Sequence, residues 1–189
     1  MKNQQNVPVR SLVVCALFAA LSAALSQVSV PLGLVPVVMT HIAIFSGAGL
    51  LGWRLGALSQ IVFIALGAVG LPVFAGFKGG IGHLFGATGG FIWGYFLSAV
   101  FIGLLADRFG RRWAMLPAMA LGVLIIYLPG IPWFMHVTGF SLTKAIGACM
   151  LPYLPGDFIK AAASVVLVWR LAPVTQRLLH PRAARVRAE

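Results

Sequence analysis

Acidic residues are scarce in this sequence: its 189 residues include three Asp or Glu against 14 Lys or Arg, and 9% of the chain is charged. Soluble proteins carry about 25% charged residues, so this composition predicts an integral membrane protein. Glu189 is the last residue and Asp107 lies in a short charged turn, which leaves Asp157 as the one carboxylate inside the apolar body. A single carboxylate cannot supply both an acid and a base, which argues against general acid–base catalysis.

Nucleotide-binding and hydrolytic motifs are also absent. The sequence has no GxxxxGK[ST] loop, no HExxH and no GxSxG, which argues against ATP use by this chain alone and against the enzyme classes that these motifs mark. The two cysteines lie in apolar segments without CxxC spacing, and the four histidines are scattered. We therefore expect no disulfide framework, no metal site, no cofactor and no enzymatic activity.

Apolar segments of membrane-spanning length predict an all-α protein in the lipid bilayer. Proline-rich turns near Pro152 and Pro155 interrupt the last segment, because proline removes a helical hydrogen bond. We treat residues 1–189 as a single membrane domain. Six transmembrane spans are predicted, at about 11–28, 37–53, 55–70, 87–106, 113–131 and 143–172, followed by a basic tail at 173–189.

The formal net charge of +11 does not indicate a nucleic-acid partner, because the basic residues lie at segment ends and in the tail instead of forming one face. With six spans and both termini in the cytoplasm, eleven Lys or Arg lie inside, while Lys78 and Lys144 lie outside. This bias is expected of a multi-pass protein of the cell membrane. The inside residues are Lys2, Arg10, Arg54, Arg108, Arg111, Arg112, Arg170, Arg177, Arg182, Arg185 and Arg187.

Asp157 and Lys160 share one helical face, because residues i and i+3 are neighbours on a helix. Pro155 marks the start of that helix. Thirteen residues separate Asp157 from Arg170, about 20 Å of helix, so the pair lies in the outer half of the membrane. Charges at that depth cost about 2.5–3.5 kcal/mol each on insertion scales. The pair is either a functional site or a structural ion pair.

A glycine-rich segment at 67–90 follows the third span. Its glycines break a regular helix, while its apolar side chains keep it out of open water. Irregular backbone at membrane depth is tolerated where protein buries it or where it lines a cavity. We expect an outer loop that folds over a ligand, with residues 71–86 closing the site.

Small residues form two ridges on the first span. Such ridges allow another helix to approach closely. They serve either packing within this chain or docking of a partner helix. One ridge is Ala16, Ala20 and Ala24, and the other is Ala19 and Ala23.

Four blocks of the sequence resemble the BioY family, the biotin-capturing S components of energy-coupling factor transporters. They are 66–76, Gly79-Gly80, 86–91 and 155–160, which reads Pro-Gly-Asp-Phe-Ile-Lys. The resemblance covers the whole chain, with Ala87 where the family usually has proline. It implies a six-helix fold, biotin binding from the outside, and coupling through the alanine motif of the first span to a transmembrane T component with two ATP-binding subunits.

Biotin would suit the polar pair. Its ureido ring has two N–H donors and one carbonyl acceptor, which match a carboxylate at Asp157 and an ammonium at Lys160. The ring system needs an apolar wall and the valerate carboxylate needs donors. Wall candidates are Phe74, Phe77, Phe91 and Tyr153; donor candidates are the amides of Gly79 and Gly80, Thr88 and Lys78, and Thr40 is a further tentative ligand contact.

Two other functions remain open at this point. An ion-coupled secondary transporter for a small organic anion would use Asp157 as its proton carrier. An enzyme of the membrane interior is a more distant alternative, without a motif in its favour.

Overall fold

The computed structural model describes residues 8–31, 33, 35–110 and 114–179. Within these ranges the chain is helical apart from its loops and a two-stranded antiparallel sheet. That sheet pairs Ser29 with Val38 and Pro31 with Pro36. The elements are α1 Val9–Gln27, β1 Ser29–Pro31, β2 Pro36–Val38, α2 Thr40–Ala68, α3 Ile81–Leu84, α4 Gly89–Phe109, α5 Met115–Thr138, α6 Leu142–Cys149 and α7 Leu154–Leu179.

Five of the described helices, namely α1, α2, α4, α5 and α7, are long and apolar enough to cross a membrane. They confirm the predicted all-helical, multi-pass membrane protein. The bilayer core has no water to satisfy backbone groups, which is why helices carry the chain through it.

The second helix, α2, reverses direction at Gly52. This residue has φ 79° and ψ 179°, which is not helical. A Cβ on Gly56 would lie 2.9 Å from the Cα of Ala48, whereas eight residues of straight helix span about 12 Å. The chain therefore folds back into two antiparallel arms, 40–51 and 53–68. The reversal falls where the sequence predicts a break between the second and third spans.

Asp107 holds this reversal in place. Its Oδ2 accepts a hydrogen bond of 3.1 Å from the backbone N–H of Trp53, the first residue of the arm 53–68. A carboxylate at a helix N-terminus satisfies an otherwise unpaired donor and favours the helix dipole. A Cβ on Gly52 would lie 2.5 Å from Asp107 Oδ1, so both the backbone conformation and the space require glycine.

Contacts near the reversal at Gly52 hold the neighbouring helices together. The thiol of Cys15 donates to Leu55 O at 3.4 Å, and a Cβ on Gly49 would lie 2.8 Å from Val168 and 3.2 Å from Met115. Basic residues lie near these contacts in the sequence: Arg10, Arg54, Arg108, Arg170 and Arg177. Lys2, Arg111, Arg112, Arg182, Arg185 and Arg187 lie outside the described residues.

Several helix boundaries differ from the predicted spans; the second span begins at Thr40 instead of about 37, because Pro36–Val38 forms β2. Pro129 and Pro132 lie inside α5, which continues to Thr138 instead of ending at 131. Proline is tolerated in membrane helices because neighbouring groups satisfy the freed carbonyls. The helix ends at Gly139, where φ is 72° and the N–H donates to Met135 O, a left-handed cap.

The last predicted span consists of two helices. The first, α6, has eight residues, about 12 Å, which is too short to cross the membrane. Residues 150–153 form turns, and α7 then runs from Leu154 to Leu179. The helix therefore includes the first seven residues of the predicted tail, and 180–189 lie outside the described residues.

Two apolar clusters pack the helices and the outer loop together. The larger one joins α2, α4, α5 and α7 around Phe45, Met119 and Phe134. The smaller one joins α1, the arm 53–68 and the glycine-rich loop through Phe63 and Phe74. Their rings meet edge to face at 5.6 Å, which fixes the loop over the space between the helices.

Candidate functional site

Asp157 and Lys160 form a buried ion pair on the first turns of α7. Asp157 Oδ1 lies 2.6 Å from Lys160 Nζ, and the two residues are 3% and 6% exposed. Pro155 lies in the first turn of the helix, where its missing N–H costs no intrahelical bond. The structure thus brings the predicted pair together on one helical face.

Two further side chains complete this polar cluster, and the sequence analysis did not find them. His41 Nδ1 lies 3.3 Å from Asp157 Oδ1, and the Tyr127 hydroxyl donates to Asp157 Oδ2 at 2.5 Å. His41 lies in the first turn of α2 and Tyr127 lies in the middle of α5. Neither has a motif around it, so only the packing of the three helices identifies them.

Segment 35–38 covers the cluster. Lys160 Nζ donates to Val38 O at 2.9 Å, and the Tyr153 hydroxyl donates to Val35 O at 2.6 Å. Beneath this segment, the cluster borders a cavity of about 30 Å³. A buried water needs about 10–15 Å³, so this space is large enough for water but too small for a vitamin-sized ligand.

A much larger cavity of about 300 Å³ lies on the other side of segment 35–38. This volume is at the lower limit of about 300–1,000 Å³ for small-molecule sites. Its wall combines α1, α2, the glycine-rich loop and α4. It is lined by Ser26, Val35, Pro36, Val38, Thr40, Phe63, Phe74, Ala75, Lys78, Gly82, His83, Gly86, Ala87, Thr88, Phe91, Ile92 and Tyr95.

Thr40 is the notable polar residue of the large cavity. Its side chain is fully buried, and its hydroxyl has no hydrogen-bond partner among the described residues. An unsatisfied buried hydroxyl costs about 1–3 kcal/mol.

The predicted ligand contacts divide between the two cavities. Thr40, Phe74, Lys78 and Thr88 line the large one. Asp157, Lys160 and Tyr153 line the small one. Phe91 lines both, as do Tyr95 and segment 35–38, so these residues form the partition between them.

Three predicted contacts do not have the surroundings that the sequence suggested. Phe77 is 72% exposed, and its backbone N–H donates to Gln27, so its ring is not part of the apolar wall. The N–H of Gly80 donates to Gly67 O at 2.7 Å, which occupies the amide expected to meet a ligand. Gly79 allows a close approach of Leu71 O that any Cβ would block; its role is to pack the loop backbone.

His83 is a further residue that the sequence analysis missed. Its Nε2 lies 3.4 Å from Thr88 Oγ1, and its ring stacks on Phe74 at 5.3 Å. Burial lowers the pKa of His83, and the positive charge of Lys78 lowers it further. Its ring is therefore neutral at pH 7 and offers one donor and one acceptor.

The two alanine ridges of α1 face different surroundings. Ala19 is 1% exposed and packs in the smaller apolar cluster, with Ala23 half-buried against it. Ala16, Ala20 and Ala24 are exposed. The ridge of Ala19 and Ala23 thus belongs to internal packing, because its face of α1 meets the arm 53–68, and it is not available to another protein.

Comparisons with known proteins agree with this architecture. A biotin transporter of Thermotoga maritima is 36% identical over 164 residues, covering 86% of this chain and 96% of that protein. A probable biotin transporter of Pyrococcus horikoshii is 38% identical over 156 residues, covering 82% and 92%. A crystal structure of the S-component for biotin from an ECF-type ABC transporter matches with a TM-score of 0.80 and 28% identity, over 90% of this chain and 94% of that one. A model of the BioY family matches residues 1–177, and the chain belongs to this family.

Proposed function

We propose that this chain binds biotin from the extracellular side and serves its uptake as the substrate-binding subunit of an energy-coupling factor transporter. Its relatives are described as biotin transporters, and its structural neighbour is an S-component for biotin. The family is one of transport proteins, so this chain is not an enzyme. Biotin is its ligand, and no cofactor takes part.

The topology that fits this function has six crossings, with residues 1–189 as one membrane domain and both termini in the cytoplasm. The reversal at Gly52 supports two crossings by the arms of α2. Together with α1, α4, α5 and α7, these two arms give six crossings. Arg54 next to the reversal and Arg108 after Asp107 mark the inner side, since positive residues favour the cytoplasm.

The large cavity is the place for biotin, and the unpaired hydroxyl of Thr40 is the observation that carries this assignment. Thr40 lies beside His41 in sequence, so the inner end of the cavity borders the polar cluster. The ureido ring lies at that end, where Thr40 reaches its carbonyl or N–H groups. Asp157 and Lys160 contact the ring once segment 35–38 moves aside. Lys160 then donates to the ligand instead of to Val38 O.

The other end of the ligand faces the loop. Phe74 and Phe91 supply the apolar wall for the ring system and thioether. Lys78 and Thr88, with His83 beside them, lie where the valerate carboxylate needs donors. A cation and a hydroxyl there form charge-assisted bonds with a carboxylate.

The exposed ridge of Ala16, Ala20 and Ala24 is the surface for the transmembrane T component. Small residues let a partner helix approach closely in a bilayer. The T component in turn joins this chain to two ATP-binding subunits. ATP binding and hydrolysis belong to those subunits.

Calorimetric titration of the purified chain tests the ligand assignment. We expect saturable one-site binding of biotin and weaker binding of biotin methyl ester, which cannot offer a carboxylate to Lys78 and Thr88. Absence of biotin binding by a folded, monodisperse protein would refute the proposal. Uptake should also persist with a protonophore while ATP is maintained; its collapse would favour proton coupling through Asp157.

A further inference from the structure

The last residue of α1, Gln27, is hydrogen-bonded to the outer loop at both ends of its side-chain amide. Gln27 Nε2 donates to Pro72 O at 3.2 Å and to Phe74 O at 3.1 Å. Gln27 Oε1 accepts from the N–H of Phe77 at 2.8 Å. One side chain thus holds three backbone groups of one loop.

Ser26 adds a fourth attachment. Its hydroxyl hydrogen is shared between Val73 O of the loop and Ala23 O of α1, and its oxygen lies 2.9 Å from Gln27 Nε2, so the two residues act on the loop together. Ser26 also lines the large cavity. The end of α1 is therefore in contact with the ligand space and with the loop that covers it.

The loop has few other attachments that would keep it closed. Among residues 71–80, only Phe74 is buried, and it sits against Phe63 and His83. Phe77 has φ 57°, a left-handed conformation that non-glycine residues rarely adopt. Its hydrogen bond to Gln27 offsets the cost of that conformation, so loss of the bond would release the strained turn.

The α1 helix is one of the two least buried of the five described spans. One third of its apolar window is buried, as for α7, against 56% for α2 and α4. Its interface with the arm 53–68 includes a weak polar contact, Gln60 Nε2 to Ser22 Oγ at 3.3 Å, and Gln60 Oε1 has no partner among the described residues. An unsatisfied buried group lowers the stability of this interface.

We propose that Ser26 and Gln27 form a latch that keeps loop 71–80 closed over the large cavity, so that the position of α1 sets how readily the loop opens. The exposed alanine ridge lies on the same helix. A partner that binds this ridge and displaces α1 therefore opens the loop. This last consequence rests on the proposed function, whereas the latch itself does not depend on which ligand binds.

Hydrogen exchange of the full-length chain in detergent, without ligand, tests the latch. Gln27→Leu keeps a similar volume and removes the three hydrogen bonds of the Gln27 amide to the loop. We expect amide exchange in 71–80 to rise by about tenfold or more, with α4 and α5 unchanged. Ser26→Ala should give a smaller rise, because it removes one attachment.

Gln60→Leu is the matched control. It makes the same substitution at the interface between α1 and the arm 53–68, where Gln60 contacts Ser22, and removes no contact with the loop. Exchange in 71–80 should stay at the level of the unmodified chain. The latch is refuted if Gln27→Leu leaves loop exchange unchanged, or if Gln60→Leu raises it equally, since the contacts of Gln27 with the loop would then have no specific effect.

Two further measurements separate the latch from the identity of the ligand. In Gln27→Leu, association and dissociation of biotin should both accelerate, because an unlatched loop opens more often in either direction. If the unmodified chain binds no biotin while loop exchange still responds to Gln27→Leu, the proposed function fails and the latch stands. Equal loop exchange in the free chain and in the complex with its T component would refute the link to docking.

Discussion

Thr40 and His41 are adjacent in sequence but face different cavities. Thr40 lines the large cavity, whereas His41 lines the small one and contacts Asp157. Successive residues on a helix point about 100° apart, so the first turn of α2 presents one side chain to each space. The buried ion pair and the ligand-sized cavity are thus separated by a single turn of helix and by segment 35–38.

Thr40→Val should have opposite effects on stability and on affinity. Valine has nearly the same shape, and it removes an unsatisfied hydroxyl whose burial costs about 1–3 kcal/mol. We expect unchanged or higher thermal stability in detergent and biotin binding weakened by about tenfold, measured by calorimetry. Thr175→Val is the control, because Thr175 Oγ1 bonds to Leu171 O far from the cavity. Unchanged affinity in Thr40→Val would remove Thr40 from the site.

Asp157→Asn should weaken biotin binding by more than about tenfold. It removes the charged acceptor for the ureido ring and leaves the ammonium of Lys160 without its counter-charge. Breaking a buried pair also destabilises the fold, so affinity must be measured on variants that remain monodisperse. Tyr127→Phe removes one donor to Asp157 and keeps the ion pair; we expect a smaller loss. Normal affinity in folded Asp157→Asn would contradict the ureido assignment.

Tryptophan substitutions on α1 should distinguish the two ridges. Ala20 is exposed, so Ala20→Trp should bind biotin normally but fail to co-purify with the T component. Ala19 is 1% exposed, so Ala19→Trp should overpack the smaller cluster and misfold. If Ala20→Trp assembles normally, the exposed ridge is not the docking surface. A folded Ala19→Trp that loses only assembly would show that the other ridge is.

Gly52→Ala should destabilise the chain severely. A side chain in the conformation of Gly52 costs about 1–3 kcal/mol, and its Cβ would lie 2.5 Å from Asp107 Oδ1. Gly147→Ala in α6 is the control, since a Cβ there meets nothing within 4 Å and alanine favours a helix by about 0.5–1 kcal/mol. Yield and melting temperature in detergent report both effects. A stable Gly52→Ala would contradict the reversal in α2.

The composition of the sequence was sufficient to predict an all-helical membrane protein. Long apolar segments are unfavourable in water, and in lipid a helix satisfies their backbone N–H and C=O groups. The spacing of Asp157 and Lys160 predicted a pair on one helical face, since helical periodicity is local. The blocks at 66–91 and 155–160 indicated the family. Each of these features depends on residues close together in the chain.

The tertiary structure decided what depends on distant residues meeting. His41 and Tyr127 joined Asp157 only because α2 and α5 pack against α7. The same packing placed the ion pair behind segment 35–38 and left the large cavity on its other side. It also decided that the ridge of Ala19 and Ala23 is buried and the ridge of Ala16, Ala20 and Ala24 is exposed. The sequence could not decide this, because both ridges have the same residue type and spacing. Sequence periodicity gives the faces of a helix, whereas contacts across the fold determine which face is buried.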